Sequence, residues 1–182
     1  MSGYACYACH GLGILQPIDE LASWLNANTP VGIHFVTIGG IDPMLEEKSI
    51  RETLAADVAA GRQIILVSHS KGAMLGYYLD MAMPLCVTID PTCWGSNIRT
   101  PEWGVASFAN AGMWRARDNV TEWLNFRQSI YPGGGVLANP GPTRKEFFYP
   151  DCNHMSIVTD MRTRIKIRSA VLDVLSRNEK IP

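Results

Sequence analysis

Ser70 lies in the run Ser68-His69-Ser70-Lys71-Gly72, between the apolar stretch Ile64-Ile65-Leu66-Val67 and helix-compatible sequence from Ala73 onward. A buried strand that turns sharply into a helix pushes a serine hydroxyl out at the C-terminal edge of its sheet. The small flanking residues let the strand and helix backbones approach. That edge is where open α/β sheets bind their ligands. The usual form of the pattern is Gly-x-Ser-x-Gly, and Ser68 stands here in place of the first glycine. The plain alternative is that Ser70 only caps the helix after it. The strand before it and the helix after it favour a nucleophile.

A serine hydroxyl is a weak nucleophile and needs a base within hydrogen-bond reach. There are four histidines. His34 falls in an apolar strand-like run and is expected in the core. His69 neighbours Ser70 on the turn, so its side chain should point elsewhere. His10 belongs to a glycine-rich segment. His154, in Asp151-Cys152-Asn153-His154, follows the last strand and precedes the last helix, at the same sheet edge as Ser70, and is the expected base. The acid should follow a strand between serine and histidine. Asp90, at the end of Leu85-Cys86-Val87-Thr88-Ile89, fits best. Asp118 is the competitor, and Asp151 is too near His154 in sequence to orient it. A carboxylate on the imidazole fixes its tautomer and stabilises the imidazolium. The oxyanion needs N–H donors. Those expected are the amide of Lys71 and that of Leu12, in His10-Gly11-Leu12-Gly13 after the first strand.

The elements that must hold these residues alternate. Residues 4–9 form an apolar run, and a helix with Ile18, Leu21, Ala22 and Leu25 on one face follows Pro17. Residues 32–38 read as a strand, 46–60 as a helix ended by Gly61, 64–67 as a fully apolar central strand and 73–81 as a helix. Strands over 85–89, 120–126 and 146–149 and a helix over 155–175 complete the pattern. In that helix Ile157, Val158, Met161, Ile165, Val171, Leu172 and Leu175 are the apolar positions. Such alternation predicts an α/β fold, a single-domain three-layer α/β/α sandwich with a mostly parallel sheet over residues 1–182. Residues 127–143 carry no helix signal. The last strand therefore either follows an irregular crossover or pairs antiparallel.

With these residues in place the chain resembles the α/β-hydrolase superfamily, and most of all its small members, the cutinases and compact thioesterase-like or lipase-like esterases. The resemblance runs from about residue 4 to the C-terminus. It rests on His10-Gly11-Leu12-Gly13, Ser68-His69-Ser70-Lys71-Gly72, Asp90 and His154 in family order. It implies hydrolysis of a carboxylic ester or thioester through an acyl-serine, with no metal or organic cofactor. The chain departs from the family pattern at Ser68, in lacking the initial antiparallel strands, and in an acid one strand earlier than usual, as in thioesterase relatives. An acyltransferase using the same triad and an inactive binding module of the same fold are the rival readings.

The 182 residues carry a net charge of −1, with 47% hydrophobic and 18% charged residues, which fits a globular chain. No basic face points to nucleic acid. No window reaches the ~20 apolar residues of a membrane span. The sequence begins without a basic-then-apolar leader pattern, and five cysteines is an odd count. Together these predict a cytoplasmic protein with reduced thiols, a Cys93–Cys152 disulfide being disfavoured. Cys6 and Cys86 are expected in the core. Cys6-Tyr7-Ala8-Cys9-His10 matches the Cys-x-x-Cys-His pattern of covalent haem attachment. On a strand, however, its two cysteines would face opposite sides. No other Cys or His pair has zinc-site spacing. Residues 92–118 read as an irregular aromatic-rich segment over the site. There Trp94 and Trp103, with Phe108 and Trp114, would line a pocket for an apolar acyl group or else pack under the loop.

Overall fold

The computed structural model of the protein describes residues 3–11, 16–41, 47–92, 99–100, 104–105, 113–129, 136–137 and 139–178. Its strands are β1 (Tyr4–Gly11), β2 (Phe35–Ile41), β3 (Gln63–His69), β4 (Met83–Ile89), β5 (Arg99–Thr100), β6 (Gly104–Val105), β7 (Met113–Trp114), β8 (Val120–Arg127), β9 (Val136–Leu137) and β10 (Arg144–Phe148). The helices are α1 (Gln16–Asn28), α2 (Glu47–Ala59), α3 (Met74–Tyr78), α4 (Ser156–Thr159) and α5 (Met161–Asn178), with a 3-10 turn over Ser70–Ala73.

Strands apolar on both faces need cover on both faces, and the six-stranded sheet has it. Its order is β10-β8-β4-β3-β1-β2, and all its pairings are parallel. Side chains alternate between two cores. Cys6, Ala8, Ile65, Val67, Leu85, Val87, Leu124 and Phe126 pack against α1, α4 and α5. Tyr7, Cys9, Ile64, Leu66, Cys86 and Trp123 pack against α2 and α3 on the other side. This is the expected three-layer arrangement with a mostly parallel sheet. The chain adds β2 on one side of β1 and β3 on the other, so the crevice between the ends of β1 and β3 lies where strand order reverses.

Three expectations need correction, and one open choice is resolved. His34 precedes β2 and is exposed, because the strand begins at Phe35, which is buried. The C-terminal helix is two helices. Asp160 has extended backbone, and its Oδ1 accepts from the amide of Arg162 at 2.8 Å, capping α5. The break resets the helical face: Ile167, Ala170, Val171 and Val174 are buried, whereas Met161 and Ile165 are exposed. The segment over 92–118 is not wholly irregular, since β5, β6 and β7 within it pair, with β9 from outside it, as a second small sheet, β5-β6-β7-β9. Finally, the open choice at the last strand resolves to parallel, with Arg144 opposite Trp123 and Phe148 opposite Arg127.

Candidate functional site

Three strand ends converge. β3 ends at His69, and Ser70 then takes φ 57°, one of two described non-glycine residues with positive φ. The other is Asp90, φ 43°, immediately after β4. Left-handed backbone at a non-glycine residue costs roughly 1–3 kcal/mol and persists only where its surroundings impose it. Both sit at the C-terminal edge of the sheet, on adjacent strands. His154 follows β10 in a loop held by Asn153. The Asn153 Oδ1 accepts from the amides of Met155 (3.0 Å) and Ser156 (2.8 Å), and the Ser156 Oγ accepts from the amide of Asn153 (2.8 Å). This reciprocal cap fixes the loop at the head of α4.

These elements bring the three side chains into one hydrogen-bonded line. His154 Nε2 lies 2.9 Å from Ser70 Oγ, and His154 Nδ1 lies 2.5 Å from Asp90 Oδ2. Asp90 is fully buried, and its Oδ2 also accepts from Gln128 Nε2 at 2.8 Å. A buried carboxylate accepts only, so it imposes the Nδ1–H tautomer on His154 and leaves Nε2 to receive the serine proton. Asp118, the competing acid, has a side chain 77% exposed and pairs with Arg144 at 2.5 Å. Asp151 pairs with Arg162. The structure therefore puts Asp90, and neither alternative, beside the imidazole.

The departure at Ser68 has a local cause. Its buried hydroxyl donates to the carbonyl of Val87 on β4 at 2.9 Å, tying the strand before the turn to its neighbour. Gly72 keeps its usual role. A Cβ there would meet His10 C at 2.7 Å and Gly11 N at 2.8 Å, and a Cβ on Gly11 would meet Lys71 Cβ at 2.6 Å. The turn thus presses against the end of β1, where the Lys71 backbone and the segment leading to Leu12 meet. Leu12 itself lies outside the described residues, as do Cys93, Trp94, Trp103 and Phe108. Of Trp114 the structure gives the backbone position in β7.

Two neighbours, Thr92 and Gln128, were not singled out from the sequence. Thr92 is buried, with Oγ1 3.2 Å from Ser70 Oγ. Gln128 directly follows β8 and reaches Asp90. His69 is buried and does point away from the serine: its Nε2 donates to the carbonyl of His154 at 2.9 Å, and its Nδ1 lies 3.1 Å from His10 Nδ1. The His10 and His69 rings stack at 5.0 Å, and the His69 and His154 rings are 4.5 Å apart. Burial, with the adjoining His154 and His10 rings adding to it, holds His69 well below the ordinary histidine range. A neutral His69 that donates from Nε2 has a bare Nδ1, so His10 donates to it. The available signal was that His10 and His69 each close an apolar run, and they prove to be register partners of β1 and β3.

Cys6 and Cys9 face opposite cores, as strand geometry requires, and burial pushes both thiols up to about 12. The Cys-x-x-Cys-His segment therefore does not present its two sulfurs to one ligand. Among the described residues no group of three or more His, Cys, Asp or Glu side chains is arranged to hold a metal ion. Cys152 is a free thiol beside Asp160 and Arg162. No described helix is long and apolar enough to cross a membrane.

No protein-family model and no curated protein matches the chain.

Proposed function

We propose that the protein is a serine hydrolase of α/β-hydrolase type that cleaves a carboxylic ester or thioester through an acyl-serine intermediate. The observation that carries this reading is the continuous line Ser70 Oγ–His154–Asp90, with each contact at hydrogen-bond distance on a strained turn. Ser70 attacks the acyl carbon while His154 Nε2 takes its proton. Asp90 stabilises the imidazolium so formed. The tetrahedral oxyanion is received by the amide of Lys71, with the amide of Leu12 as the second donor on the grounds of its place in the sequence after Gly11. His154 then protonates the leaving alcohol or thiol. In the second half a water gives its proton to His154 as it attacks the acyl group, and the proton returns to Ser70. The aromatic segment bearing Trp94 and Trp103 follows Asp90 in sequence, which favours an apolar acyl substrate.

The test is turnover of nitrophenyl esters of rising chain length, with and without an alcohol acceptor, by wild type and Ser70→Ala. The expected result is hydrolysis by wild type, better with longer acyl chains, that Ser70→Ala lowers by about 10³-fold or more. Product formed only as the transferred ester would assign the chain to acyl transfer. Equal rates for the two proteins would remove Ser70 from the chemistry.

A further inference from the structure

We propose that the Thr92 hydroxyl is a further catalytic group, a hydrogen-bond donor to Ser70 Oγ; the inference rests on the reading of Ser70 as nucleophile. Thr92 lies two residues beyond Asp90, with Pro91 between, and is fully buried. It grips the serine twice. Its amide donates to the carbonyl of Ser70 at 3.2 Å, and its Oγ1 lies 3.2 Å from Ser70 Oγ.

The direction of the second bond follows from a count of protons. The buried Asp90 carboxylate carries none and accepts from His154 Nδ1–H. In the state that takes the serine proton His154 Nε2 is bare, and the single hydroxyl proton of Ser70 goes to it at 2.9 Å. Ser70 has no second proton for Thr92. The proton in the Thr92–Ser70 contact is thus that of Thr92, directed at a lone pair of the attacking oxygen.

Such a donor meets charge where it develops. When Ser70 passes its proton to His154, Oγ gains negative charge before its bond to the acyl carbon is complete. When water later displaces the acyl group, the C–Oγ bond breaks and Oγ again carries charge until His154 returns the proton. The Thr92 proton stays on Thr92 throughout. In a buried site a fixed donor of this kind costs no reorganisation at the moment of reaction. Asp90 and Thr92 belong to one three-residue segment, with Pro91 limiting its backbone freedom. That segment thus supplies the carboxylate for the base and the donor for the nucleophile together.

The experiment compares wild type, Thr92→Ser and Thr92→Val in fluorophosphonate inactivation rate and in kcat and KM for nitrophenyl acetate, with thermal unfolding of each. Thr92→Val is expected to lose about 10- to 100-fold in inactivation rate and in kcat, with KM changed by less than about twofold, and Thr92→Ser to stay within about threefold of wild type. If Thr92→Val does not fold, Thr92→Ala set against Thr92→Ser carries the same comparison. A Thr92→Val protein reacting within about threefold of wild type would overturn the proposal, and so would a Thr92→Ser protein as slow as Thr92→Val, which would assign the effect to packing of the methyl group. Wild type that reacts with neither reagent removes the nucleophile reading itself. That outcome is distinct from one in which wild type reacts and Thr92 proves indifferent.

Discussion

Gly72 and Gly11 sit so close that neither has room for a side chain: a Cβ on Gly72 would lie 2.8 Å from the amide nitrogen of Gly11, and one on Gly11 would lie 2.8 Å from that of Gly72. The end of β1 and the turn after β3, 61 residues apart in sequence, are thus packed backbone to backbone at the candidate site. Gly72→Ala forces them apart, since the atoms in the way are main-chain atoms that cannot swing aside. The expected cost is about 1–3 kcal/mol, read as a lower urea midpoint, together with a loss of roughly 10²-fold in ester turnover as the β1 end shifts from the turn. Gly141→Ala is the control, because nothing lies within 4 Å of a Cβ there. Equal stability and turnover for both variants would contradict the close approach.

The burial of His69 carries a pH dependence. His69 is buried and held neutral below its ordinary value of 6.5, so the unfolded chain binds its proton first. Its contribution to stability is present above pH 6.5 and is lost as pH falls below that value. The slope approaches about 1.4 kcal/mol per pH unit for one proton. Urea midpoints of wild type and His69→Gln at pH 7.5 and 5.5 test this. Wild type is expected to weaken more steeply on acidification than the variant, and parallel curves would contradict it.

The placement of Asp90 and Asp118 separates the two candidate acids. Asp90→Asn keeps the shape at the imidazole but removes the charge that stabilises its protonated form. A fall in kcat on the order of 10³–10⁴-fold is expected. Asp118→Asn touches an exposed pair with Arg144 and is expected to leave kcat within about twofold. Kinetics on a nitrophenyl ester decide it, and the reverse ranking would assign the acid to Asp118.

Much of this arrangement is legible in the sequence because each group stands where an apolar run stops. Ser70 follows Ile64–Val67, Asp90 follows Leu85–Ile89, and His154 follows the last strand, so chain order and strand polarity alone put them on one edge. What the sequence hides is pairing between strands. His10 meets His69 through sheet register, and Gln128, just past β8, meets Asp90, just past the neighbouring β4; no local pattern encodes either. Thr92 reads as an ordinary loop residue until the left-handed turn at Asp90 carries it back to Ser70. His34 is misread because an apolar neighbourhood, Val31 to Val36, masks a strand that starts one residue later. Met161 and Ile165 are misread because the break at Asp160 restarts the helical phase.

The nucleophile is the centre of the account, and covalent labelling tests it most directly. Folded protein treated with a fluorophosphonate and digested should show the phosphonyl adduct by mass spectrometry on the peptide containing Ser70, and Ser70→Ala should show none. No adduct on folded wild type, or equal labelling of Ser70→Ala, would contradict the assignment of Ser70, and with it the hydrolase reading.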